Sequence, residues 1–216
     1  MAIESAIGII LLTRPLTETS LIVHWLTPNF GRIATVAKGA RRPKSPFLGK
    51  LDLFYEAAFS FTRSRRSELH VLREVSIRAM HVELRADLPK LRHAAYAAAF
   101  IRQVTETETP LPAIFTLFRD FLKELCGQKT SLQIIFSFEL KLLRELGLEP
   151  RWPETHLTAG TKKIAALLLE RDFVAGENLR LTDAQTNELG RFLHGFLIFH
   201  LGHLPTGRSA ALEIAN

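Results

Sequence analysis

Between Gly31 and Lys50 the chain carries Arg32, Lys38, Arg41, Arg42, Lys44 and Lys50, and no acidic residue. A solvated protein face usually mixes both signs of charge, so a one-sign cluster points to a polyanionic partner. Lysine and arginine on a loop can neutralise phosphates without reading bases. Phe47 lies inside this run, with Trp25, Phe30, Phe54 and Tyr55 nearby. Aromatics in strands mostly serve the core, so Phe47 is the residue expected to stack on bases. The pattern fits DNA and RNA alike.

Catalytic chemistry is not expected. There is no glycine-rich phosphate loop and no Gly-x-Ser-x-Gly elbow. The single cysteine, Cys126, falls at the C-terminal end of a helical pattern, where the dipole disfavours a thiolate. His194 and His200 are separated by about 240° of helical rotation and cannot share a ligand face. A metal-dependent hydrolase built on His200, His203 and an acid is the rival from another class, but it lacks a nameable third ligand. The expectation is no catalytic residue, no metal and no cofactor.

The elements that must position the cations form two halves. Up to about residue 80 the pattern is that of strands: Ile7–Leu12, Ser20–Thr27, Arg32–Ala37, a strand within Asp52–Arg63, and Glu68–Ile77. Pro28-Asn29-Phe30-Gly31 is a turn signal joining the second and third as a hairpin. Five strands in about 75 residues suit a small closed barrel of the OB type. Beyond Met80 the period is helical: Leu84–Thr105, a helix opened by Pro110 and Pro112, Ser131–Leu146 stopped by Gly147, Thr161–Arg171, and one capped by Thr182 that runs to about His200. The fold class expected is α+β and multidomain, an N-terminal OB-fold barrel over residues 1–80 followed by an all-α domain over 81–216. Charge divides the same way. Residues 1–80 hold 12 Lys and Arg against 6 Asp and Glu, residues 81–216 hold 16 of each, and the net charge is +6.

With 47% hydrophobic and 23% charged residues among 216, the composition is globular. No apolar run reaches about 18 residues, and Glu4 stands where a secretory signal would carry lysines. One cysteine excludes an internal disulfide framework. A cytoplasmic protein is expected, with no membrane partner.

Three strings resemble the bacterial DNA repair and recombination mediator family RecO. They are Arg14–Val23, then Leu26–Ile33, then Val36-Ala37-Lys38-Gly39-Ala40-Arg41-Arg42. Phe138-Glu139-Leu140-Lys141-Leu142-Leu143-Arg144-Glu145-Leu146-Gly147 and Leu204-Pro205-Thr206-Gly207-Arg208-Ser209 resemble the family's third-helix and C-terminal motifs. The resemblance implies binding of single- and double-stranded DNA, annealing of complementary strands, and help in loading the RecA recombinase on SSB-coated single strands. It implies RecR and the acidic tail of SSB as partners. Many relatives carry four cysteines after the third helix, arranged to hold zinc. Here Glu149–Gly160 has none, so the zinc module is expected to be absent. Some relatives carry arginines before Phe-Glu-Leu where this chain has Phe136-Ser137. Lys141 and Arg144 are the residues that stand in for them at an SSB-tail groove beside the third helix, with two solvated charges as the alternative reading. An RNA-binding OB module is the nearer alternative.

Overall fold

The computed structural model describes residues 3–127, 131–173 and 179–213. Five strands, β1 (Ile3–Pro15), β2 (Leu21–Thr27), β3 (Gly31–Ala37), β4 (Glu56–Thr62) and β5 (Leu69–Ala79), close into a barrel in the order β1-β2-β3-β5-β4. Strand alternation decides what fills it. On β4 Ala57, Phe59 and Phe61 are buried, while Glu56, Ala58 and Ser60 lie between them, half-buried. Phe59 stacks on Trp25 with ring centroids 4.1 Å apart. The Trp25 Nε1–H, which could not be left unpaired in a core, donates to Thr35 Oγ1 at 2.8 Å. β1 is long enough to serve both neighbours: Ile9 sits opposite Leu26 of β2 and Glu56 of β4. A bulge between Ile10 and Leu12 bends it there.

Closure is short. β3 and β5 run parallel and pair only through Ala34, Thr35 and Val36 against Leu69, His70 and Val71. At the start of β3 the neighbour is instead residues 105–109. Thr107 bridges Arg32, and the Glu108 N–H donates to the Arg32 carbonyl at 2.9 Å. Gly31 has a φ of +61°, and a Cβ there would stand 1.7 Å from the Thr109 carbonyl oxygen. Only glycine admits this segment.

The chain divides into two compact units, residues 1–82 with 105–119, and residues 83–104 with 120–216. The barrel unit thus takes residues 105–119 from the stretch that reads as helical. Among the described residues seven α-helices follow the barrel: α1 (Glu83–Ala86), α2 (Leu88–Val104), α3 (Pro112–Gly127), α4 (Leu132–Glu145), α5 (Ala159–Glu170), α6 (Asp183–Leu201) and α7 (Arg208–Leu212). The α+β class and the barrel-then-helices order expected from the sequence are the observed ones. The helix ends obey local rules. Thr182 and Gln185 form a reciprocal capping box at the start of α6, and Gly202 ends that helix with a φ of +78°.

α4 is the centre of the helical unit. Every residue from Ile134 to Leu143 is buried, Ser137, Glu139 and Lys141 included. A helix covered all round must satisfy its polar side chains internally. The Ser137 hydroxyl donates to the Leu168 carbonyl at 2.7 Å.

His93 on α2 is also buried and donates from Nε2 to the Ala211 carbonyl at 2.8 Å. Burial pushes its pKa down to about 4. The unfolded chain therefore binds this proton more readily than the folded one. The contribution to stability is complete above a pH of about 6.5 and drains away toward pH 4, by about 1.4 kcal/mol per pH unit. Between pH 7 and pH 5 the wild-type chain should lose about 2 kcal/mol more than His93→Gln, read from urea unfolding at the two pH values. Equal losses would show that this histidine is not the group titrating.

Candidate nucleic-acid interface

The strand registers bring the cations of the loop after β3 to one end of the barrel, whereas Arg32 lies opposite Leu26 at the other end of β3. Pro15 lies opposite Leu21, and Leu21 opposite Ala37, so the end of β1, the start of β2 and the end of β3 form one row. The basic loop leaves from that row. It is a succession of short turns, Arg42 N–H to Gly39 O at 3.1 Å, Ser45 N–H to Arg42 O at 3.0 Å, Leu48 N–H to Ser45 O at 3.1 Å and Lys50 N–H to Phe47 O at 3.0 Å. Its inner side is apolar: Ala40, Phe47 and Tyr55 join the barrel core around Trp25 and Phe59. It is fastened to the β1–β2 turn, where the Arg41 N–H donates to Thr19 O at 3.0 Å and its guanidinium to Thr17 O at 3.4 Å. With the inner side anchored, Lys38, Arg41, Arg42 and Lys44 are left exposed, and so is Arg14 at the end of β1.

Two sequence-predicted residues have other roles. Phe47 is 7% exposed and packs in the core, because the loop closes over the barrel end with its aromatic inward. Its ring is not a platform for bases. Arg32 is half-buried, and its guanidinium donates to the Thr105 carbonyl, holding the 105–109 segment. Lys50 is half-buried and lines a hollow of about 480 Å³ with Ser5, Ser60, Arg73 and Ser76. Arg14 was legible only as the end of a strand. The β1–β2–β3 register is what brings it to the loop.

In the helical unit Lys141 is buried, and its ammonium donates to the carbonyls of Leu169 and Arg171, each at 2.6 Å. It caps the C-terminal end of α5 rather than rimming a groove, because α4 is covered on that side. Burial, and then the Arg144 charge, push its pKa down to about 8. Arg144 pairs at 3.1 Å with the exposed Glu170. His156 and His200 line a cavity of about 710 Å³ with Phe192 and Phe196, while His203 lies beyond Gly202. Among the described residues no group of three His, Cys, Asp or Glu could hold a metal ion. Burial and a hydrogen bond with Glu83 push the Cys126 thiol up to about 12, so it is no nucleophile at neutral pH. Among the described residues no helix is long and apolar enough to cross a membrane.

Comparison with known proteins places this architecture. The family profile for the N-terminal part of recombination protein O matches residues 1–81, and the profile for its C-terminal part matches residues 85–158. The chain belongs to the recombination protein O family. Among relatives named DNA repair protein RecO, that of Rhodopirellula baltica is 32% identical over 143 residues, covering 66% of this chain and 53% of the relative. That of Exiguobacterium sibiricum is 30% identical over 148 residues, 68% of this chain and 59% of the relative. That of Nitrosospira multiformis is 29% identical over 188 residues, 87% and 69%. The matches thus span 53% and 59% of the length of the first two relatives.

In this RecO-family chain the third-helix motif and the C-terminal motif meet. Glu139, from Phe-Glu-Leu on α4, accepts two hydrogen bonds from the Arg208 guanidinium, at 2.7 Å and 3.0 Å, and a third from the Tyr96 hydroxyl. Glu139 is fully buried and Arg208 nearly so. The resemblance marked Glu139 and Arg208, but nothing in the sequence joined them or pointed to Tyr96.

Proposed function

We propose that the barrel end carrying Lys38, Arg41, Arg42 and Lys44 binds single- and double-stranded DNA through phosphate contacts, with Arg14 and Lys50 assisting. The observation that carries this reading is four exposed cations on a hydrogen-bonded loop, with no acid from Gly31 to Lys50, in a family whose relatives are named for DNA repair. Annealing of complementary strands follows physically. Two strands held near one cationic surface repel each other less, so pairing speeds up without any bond being made or broken. The same reading takes RecR and the SSB tail as partners, and loading of RecA on SSB-coated single strands as the outcome. The helical unit would present the tail site, on a surface other than Lys141.

Replacing Arg41, Arg42 and Lys44 together by alanine should weaken binding to all DNA sequences about equally. The slope of log affinity against log salt should fall by roughly two to three, near one per lost contact. An unchanged slope removes the loop from the interface. Strand annealing with matched DNA and RNA oligonucleotides, with and without SSB, tests the activity itself; a clear preference for RNA would favour an RNA-binding module.

A further inference from the structure

With Phe47 turned inward, the loop end has lost its expected base contact. Trp25, Phe54 and Tyr55 are buried too, at 8% exposure or less. Phosphate contacts alone would treat any strand by its charge. Two large apolar side chains nevertheless stand out among these cations: Leu16 is 44% exposed and Leu48 is 65% exposed. Water-exposed leucines on a cationic surface cost solvation and gain nothing from phosphate.

Resting on the DNA-binding reading of this loop, we infer that Leu16 and Leu48 contact the bases of a single strand held there. Both are held by backbone geometry beside the cations. Leu16 lies two residues after Arg14 in the β1–β2 turn, where its N–H donates to Ser20 O at 2.9 Å. Arg41 fastens that same turn through the carbonyls of Thr17 and Thr19. Leu48 closes a turn onto Ser45, and Ser45 one onto Arg42. A strand whose phosphates meet Arg41 and Arg42 therefore lies against the turn and the loop that carry the two leucines. In a duplex the base faces are covered by their neighbours, so an apolar side chain finds only edges. In a single strand the faces are open and can pack on leucine, as they stack on aromatics elsewhere. Exposed Glu18 is the one acid in the β1–β2 turn, and the excess of cations opposes a second copy of the same surface. The leucines thus supply what the cations lack, a preference for unpaired over paired strands.

The test uses the full chain with Leu16→Ser and Leu48→Ser combined, both at exposed positions where serine is tolerated. Affinities for a mixed-sequence single strand and for its duplex are measured over a range of salt. The expected result is a loss on the order of tenfold for the single strand, a change within about twofold for the duplex, and unaltered salt slopes. A single strand of the same length lacking bases should bind wild type as weakly as it binds the double variant. Unchanged single-strand affinity, or equal losses on both forms, overturns the inference. Anionic phosphatidylglycerol vesicles are the further arm: vesicle binding lost in the double variant with oligonucleotide binding intact would assign the leucines to a lipid surface and overturn it too. The Arg41, Arg42 and Lys44 alanine variant separates the two readings. If it leaves the salt slope unchanged, DNA binding by the loop fails. If it lowers the slope while the leucine pair is silent, only the base contact fails.

Discussion

Arg208→Ala should destabilise the chain by about 3–5 kcal/mol, far more than an ordinary loop substitution. The cost does not come from the worth of the ion pair, which in a buried site is partly cancelled by desolvating both charges. It comes from what the variant leaves behind. Glu139 is fully buried on a helix covered on all sides, and without Arg208 its carboxylate keeps, among the described residues, the Tyr96 hydroxyl alone. Burial works against the Arg208 charge, yet the hydrogen bonds and charge of Glu139 outweigh it and hold its pKa above the ordinary value. Burial and the Glu139 charge likewise push the Tyr96 pKa well up, keeping its proton in place to donate. Two comparisons isolate the mechanism. Arg208→Met combined with Glu139→Leu removes both charges and should be closer to wild type than Arg208→Ala alone. Tyr96→Phe should cost less, since it removes one donor and leaves the ion pair intact. Urea unfolding of the set is the measurement. A double variant as unstable as the single one would mean that packing around Arg208, and not the stranded carboxylate, carries the effect.

What could be read from sequence was local. The turn at Pro28–Gly31, the cap at Thr182 and the stop at Gly147 each rest on residues adjacent in the chain, and each stands where the pattern put it. The barrel followed from five runs of β-formers divided by turn signals, which are also local. The failures are all contacts across the fold. Residues 105–109 are a polar run between helices, and only the short β3–β5 pairing leaves them a place beside Arg32. Phe47 sits among cations and prolines and reads as exposed; its burial depends on a barrel end that the loop must close. For Lys141 a signal existed. From Ile134 to Leu143 the apolar residues occupy nearly every side of the helix, so no face is left for solvent, and a lysine there must find partners inside.

Lys141 and Arg144 consequently should part company under charge reversal. Lys141→Glu places a carboxylate against the carbonyls of Leu169 and Arg171, where an ammonium now satisfies both. Two good bonds become repulsions in a buried site, and a cost of about 3–5 kcal/mol is expected. Arg144→Glu meets Glu170 at an exposed position, where pairs are screened, and should cost about 1 kcal/mol or less. Proton linkage gives an independent check on the environment. Burial lowers the Lys141 pKa from its ordinary 10.5 to about 8, so the folded chain gives up this proton more readily than the unfolded one. Its contribution disfavours folding below pH 8 and is relieved as pH rises from about 8 toward 10.5. Lys141→Met, which keeps the stem and removes the charge, should flatten the stability profile in that window while leaving the two carbonyls unpaired. Denaturant unfolding of the single variants at pH 7 and pH 9 separates these effects. Equal, small losses for Lys141→Glu and Arg144→Glu would return Lys141 to the surface. A loss confined to Lys141→Glu would mean that weakened tail-peptide binding in any variant carrying it reports a damaged helical unit. A tail-binding site then has to be sought with substitutions that spare the α4–α5 contact.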